Sequence, residues 1–170
     1  MVKNFIKEYK FFIIFILLLF FITKPTFVLG ESMQPTLQNH DLLLTEKVST
    51  YKNSFNYGDI VTFNTNIKLN SFSHKVLIKR VIGIEGDVIT ISNGNVYRNG
   101  TQLNEPYIGT NITYGDGVYV VPENSIFALG DNREHSSDSR DPAVGFINVN
   151  EITGVVYFRA FPFDSLGILN

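Results

Sequence analysis

From Asp41 onward no stretch of this chain keeps the 3.6-residue apolar period that a helix needs; short apolar runs alternate with turn residues instead. Residues 42–48 begin with leucines and then alternate apolar with polar, and Gly58-Asp59 opens the run 60–63. Residues 74–84 are rich in β-branched side chains and carry the strongest strand signal. Gly86-Asp87 turns into a run at 88–92, after which Asn93-Gly94 reads as a two-residue hairpin turn. Asn99-Gly100 repeats that signal after Val96, Tyr97 and Arg98. Further strands are predicted at 118–121, 125–129 and 152–160, with an irregular loop at 104–117. Short strands at close spacing, with no internal repeat, predict a mainly β domain.

Ahead of that domain, residues 11–22 form an unbroken apolar run of twelve. A membrane-crossing helix needs roughly 20 residues. Phe5, Ile6 and Tyr9 lengthen the run on one side, and Thr26, Phe27, Val28 and Leu29 on the other. Lys7, Lys10 and Lys24 are placed to snorkel toward the interfaces. Lys3, Lys7 and Lys10 precede the run, which by the positive-inside rule puts the N-terminus in the cytoplasm. The expectation is a single-pass anchor over 1–27, ended by Pro25, and an extracytoplasmic domain over 28–170. A removable signal peptide shares the basic start and the short apolar run, and Val28-Leu29-Gly30 offers a passable small-residue site. Cleavage there would strip away the approach to Ser32.

The absence of cysteine from all 170 residues excludes disulfides, thiolate zinc sites and a cysteine nucleophile. Residues 25–170 hold ten Lys and Arg against fifteen Asp and Glu, a balance of −5, with no basic patch. Nucleic acid is therefore a poor partner for the domain.

Ser32 stands just past the apolar segment. Gly30 permits an unusual backbone before it and Pro35 fixes the backbone after it. An exposed turn of this kind can aim the Ser32 amide at the same carbonyl that its hydroxyl attacks. A serine hydroxyl needs a base. Of His40, His74 and His135, only His135 sits among acids and hydroxyls, beside Glu134, Ser136 and Asp138. The other candidate is Lys79, in the middle of the most apolar strand, on the same face as Lys75, Leu77 and Val81. A lysine there is either a solvated edge residue or a buried amine whose pKa falls by ~3–5 units. Residues 130–141 are dense in Asp, Glu and His, but the spacing fits no calcium loop. Ion pairs within that loop, Asp138 with Arg140 or Asp131 with Arg133, are the simpler expectation.

Four segments taken together resemble one family. Ser-Met-Gln-Pro-Thr-Leu at 32–37, Gly-Asp-Ile-Val at 58–61, Lys-Arg-Val-Ile-Gly-Ile-Glu-Gly-Asp at 79–87 and Gly-Asp-Asn-Arg-Glu-His-Ser-Ser-Asp-Ser-Arg at 130–140 are similar in order and spacing to the type I signal peptidases. The compact length resembles the Gram-positive members. The resemblance implies a transmembrane helix followed by an antiparallel β catalytic domain, and a Ser-Lys dyad that needs no cofactor or metal. It implies Ser32 as nucleophile, Lys79 as base, and Ser136 as the hydroxyl that orients the amine. Asp138 and Arg140 would be a structural ion pair, with Arg80, Asp131, Asn132 and Arg133 as supporting residues. Val28, Leu37 and Ile78 would line pockets for small side chains, giving cleavage after Ala-x-Ala-like sequences. Gly30 stands where Gram-negative members carry an oxyanion-hole serine, which leaves the Ser32 amide as the implied donor. The implied partners are secretory preproteins with their signal peptides and the lipid bilayer; oligomeric state is left open. Two other readings are a peptidase dedicated to a few substrates and a non-enzymatic assembly factor for surface proteins or pili.

Overall fold

The computed structural model describes residues 9–14, 22–70 and 73–169. Residues 9–14 are helical, and the rest of the apolar run expected as an anchor, 15–21, lies outside the described residues together with 1–8. Among the described residues no helix is long and apolar enough to cross a membrane.

The chain enters the sheet earlier than its sequence suggests. Thr23–Phe27 (β1) pairs antiparallel with Leu42–Glu46 (β2), from Thr23 opposite Glu46 to Phe27 opposite Leu42. Residues 23–27 were expected to belong to the anchor, with Pro25 as its end. Pro25 is instead tolerated within β1 because β1 is an edge strand, where a missing N–H breaks no ladder. A short helix, Val48–Lys52 (α1), follows β2.

The two longest strands are Ile60–Asn70 (β3) and Ser73–Ile84 (β4), paired with each other. The next is the run expected at 88–92, found as Val88–Ser92 (β5). Asn93 and Gly94 both take positive φ, 50° and 80°, so the turn to Asn95–Arg98 (β6) is the tight hairpin that Asn-Gly predicts. Asn99-Gly100 does the same between β6 and Thr101–Gln102 (β7). The loop expected at 104–117 is irregular apart from one 3-10 turn at Pro106–Ile108. Gly117–Val120 (β8), Ser125–Leu129 (β9), Ile147–Asn148 (β10), Ile152–Phe161 (β11) and Gly167–Ile168 (β12) complete the chain.

The strands form an eight-stranded sheet in the order β1-β2-β11-β3-β4-β9-β10, with β12 on β11, and a four-stranded sheet β7-β6-β5-β8. Alternation divides the large sheet's side chains between its faces. Val61, Phe63, Val81, Ile126 and Ala128 fill one core, while Ile82, Phe127 and Leu129 pack with Ile89, Ile91 and Val96 of the small sheet. Every residue of β9 is therefore buried. A third cluster, Val28, Met33, Leu37, Leu43, Ile60 and Val156, lies beneath the turn that carries Ser32. All three cores meet β3 or β4, and these strands supply the rigid mounting for the site.

Candidate active site

Ser32 sits in a turn spanning 31–37 that leaves β1 through Gly30. Gly30 has φ +107°, a left-handed conformation that a side chain would strain. The loop 130–140 pins this turn from outside: the Asn132 amide donates to Ser32 O at 3.1 Å and its side-chain nitrogen to Glu31 O at 3.1 Å. Gly130 makes the close fit possible, since a Cβ there would collide with Ser136 Oγ and Ser32 O. Among the described residues the Ser32 amide itself donates to nothing.

Lys79 reaches Ser32 from β4. Its side chain is fully buried, and Nζ donates to Ser32 Oγ at 2.6 Å and to Ile78 O at 2.8 Å. Burial disfavours the ammonium and pulls the amine down to about 8, against the opposing charge of Asp138 and with help from Lys75. Near neutral pH a usable fraction of this amine is a free base. An ordinary lysine would hold well under ~0.1% in that form.

Ser136, expected to orient the amine, has a buried Oγ that meets no partner in hydrogen-bonding geometry. It lies close enough to Asp138 to help hold that carboxyl low, while the second bond of Lys79 goes to Ile78 O. Asp138 and Arg140 form the expected pair, with Arg140 Nε and Nη2 on the two carboxylate oxygens at 2.8 Å each. Burial pushes the Asp138 carboxyl up, but Arg140 and the Gly130 amide at 3.0 Å outweigh it and hold the group below the usual range.

Asp131 does not pair with Arg133. A turn bond from Arg133 N to Asp131 O leaves the two side chains bound to different partners, and Arg80 on β4 meets Asp131 with a fork, Nε to Oδ1 at 2.9 Å and Nη2 to Oδ2 at 2.8 Å. Thr36 Oγ1 adds a bond to Asp131 Oδ2 at 2.5 Å, tying the serine turn to the same carboxylate. Arg133 reaches instead to Glu105 in the loop before β8: Nη2 lies 2.5 Å from Oε1, and Nη1 donates to Oε2 at 3.0 Å and to Thr113. Its Nε holds Gly130 O at 3.1 Å. Glu105 and Arg159, whose Nη2 holds Thr36 O, carry no sequence signal, and Thr36 is marked only by its place in the 32–37 segment, because each partner lies far along the chain.

A groove of about 420 Å³ opens beside Ser32, walled by residues 24–30 and 75–78. Val28 and Ile78 line it as expected. Leu37 does not; it is fully buried in the cluster under the turn, drawn there by Leu43 and Val156. His40 and His135 are exposed, and His135 is bonded in the loop through its backbone to Asn132 O. The side chain of His74 lies outside the described residues. Replacing His135 with alanine is expected to leave peptide cleavage within about twofold of wild type, the usual size of a surface change. A kcat/KM assay checks this.

A hydroxyl bonded to a dry amine with a groove alongside, all on a β scaffold, is the equipment of a hydroxyl-nucleophile hydrolase with an amine base. The chain belongs to the family described as signal peptidase, peptidase S26, whose profile matches residues 2–161. It is 38% identical over 151 residues to a probable signal peptidase I-2 of Synechocystis, covering 88% of this chain and 68% of that one. It is 36% identical to signal peptidase I P of Bacillus subtilis subsp. natto, covering 96% of this chain and 93% of the other. The crystal structure of a signal peptidase I from Enterococcus faecalis matches 60% of this chain and 96% of its own, at 27% identity and a TM-score of 0.51.

Proposed function

We propose that this chain is a serine endopeptidase, anchored in the cell membrane, that removes signal peptides from exported preproteins. The observation that carries the chemistry is the 2.6 Å bond between Lys79 Nζ and Ser32 Oγ at a fully buried amine. Lys79 takes the hydroxyl proton as Ser32 attacks the scissile carbonyl. The unengaged Ser32 amide is available to the oxyanion. Lys79 then gives its proton to the leaving amine, and water, activated by the same nitrogen, hydrolyses the acyl-enzyme. Asp138, Arg140, Arg80 and Asp131 hold the two loops that carry these groups. Val28 and Ile78 narrow the groove beside the serine, which supports cleavage after small residues.

The anchor reading is supported by the apolar run at 11–22 and the lysines before it, a pattern that favours a cytoplasmic N-terminus and a domain outside. A non-enzymatic assembly factor would have no use for a desolvated lysine aimed at a serine, so the peptidase reading is preferred. Purified full-length protein in detergent, incubated with a preprotein and followed by N-terminal sequencing of the product, tests the assignment. A single new N-terminus after a small residue is the expected result, and an uncut preprotein rejects it.

The amine also sets a pH profile. Activity needs Lys79 without its proton, so log kcat/KM on a peptide should climb with about unit slope below pH 8 and level off above it. A profile flat from pH 6 to 9, where the free-amine fraction should rise about a hundredfold, would exclude this base.

A further inference from the structure

The groove beside Ser32 is bounded by two strand edges. β1 is the last strand of its sheet. β4 pairs with β9 only from Arg80 onward, so its residues 75–79 have β3 on one side and no strand on the other among the described residues. An extended peptide fits between such edges. One end of the groove holds Val28, Ser32 and Ile78; the other holds Lys24 and Lys75. Lys24 lies four residues before Val28 and Lys75 four before Lys79. At about 3.3 Å per residue, Lys75 stands roughly 13 Å along β4 from Lys79, and Lys24 the same distance along β1 from Val28. Both lysines are exposed, and neither joins an ion pair among the described residues.

We propose that Lys24 and Lys75 form a cationic subsite that selects the substrate side chain four or five residues before the scissile bond, favouring a carboxylate and rejecting a cation. The inference rests on the peptidase reading above. Two exposed pairs, each of modest strength, give a preference of about tenfold at low salt.

The test uses the full chain in neutral detergent and three peptides that differ only at those positions, carrying Glu, Gln or Lys. The expected order of kcat/KM is Glu, then Gln, then Lys, spanning about tenfold and collapsing toward unity near ~1 M salt, where screening acts within about 3 Å. The double variant Lys24→Glu/Lys75→Glu is expected to reverse the order. Taking ratios within each enzyme cancels any effect of Lys75 on the base. Three equal rates, or an order that survives the double variant, overturn the subsite. Should that variant fold poorly, the salt dependence of the wild-type order decides alone. The assay is repeated in vesicles with and without anionic lipid. Variant rates that follow the lipid while the peptide order stays put would assign the lysines to the membrane and also overturn the subsite. Failure to cut any of the three peptides would reject the peptidase reading, a distinct outcome.

Discussion

Lys79→Met is expected to abolish preprotein processing and at the same time to raise the melting temperature. Removing the base should cost about 10³-fold or more in kcat/KM. Ser32→Ala should cost as much, and the double variant little more than either, because the two groups act as one unit. The stability gain follows from the same nitrogen. Its pKa falls from 10.5 to about 8 on folding, a cost of about 3 kcal/mol below pH 8 at ~1.36 kcal/mol per unit. Methionine keeps the volume and loses the bonds to Ser32 and Ile78 O, which offsets about 1–2 kcal/mol of that gain. The net is a rise of a few degrees at neutral pH. The sign is fixed by proton counting. Between pH 8 and 10.5 the unfolded chain holds the proton and the folded chain does not, so wild-type stability recovers with rising pH and the advantage of methionine fades. Thermal melts across that window check it. Processing that survives either substitution removes the dyad.

Glu105→Ala should unfold the protein more readily, by about 3–5 kcal/mol in a denaturant titration, because it strands a buried charge. The Arg133 side chain is fully buried and Glu105 is its only carboxylate among the described ion pairs. Burial disfavours the guanidinium charge and Glu105 more than offsets this; without Glu105 the charge remains, because an arginine does not give up its proton in a protein. A paired exchange, Arg133→Met with Glu105→Leu, should cost less than Glu105→Ala alone, since it removes the stranded charge as well. A Glu105→Ala protein within about 1 kcal/mol of wild type would show that water or another group takes over the guanidinium. Because Arg133 also holds Gly130 O, the single variant should lose cleavage activity before it loses its fold.

These two cases mark what could be read from the chain and what could not. Runs such as 88–92 and 125–129 were legible because β-branched and aromatic residues stand between turn signals, and their pairing is local or heavily buried. β1 was not: Thr-Lys-Pro-Thr-Phe has no alternation and follows an apolar run, and only the distant β2 makes it a strand. Lys79 stood out as a cation in an apolar strand, and its contact with Ser32 joins residues 47 positions apart. The partner of Arg133 was misread for the same reason that β1 was. Proximity in sequence favoured Asp131, while the structure supplies Glu105 from beside the smaller sheet and gives Asp131 to Arg80. Leu37 was taken for a pocket residue through motif position alone, and packing drew it inward.

The apolar run ends at Ile22 and β1 begins at Thr23, so no spare residue separates the proposed anchor from a wall of the groove. Flexible tethers let a catalytic domain search a volume; this connection gives it almost none. On the anchored reading proposed above, the height of the serine above the lipid would be set by construction, as by a fixed spacer. Lengthening the junction by even a few glycines would trade that fixed reach for slack, and a substrate whose cut site emerges at one depth would meet the dyad less often.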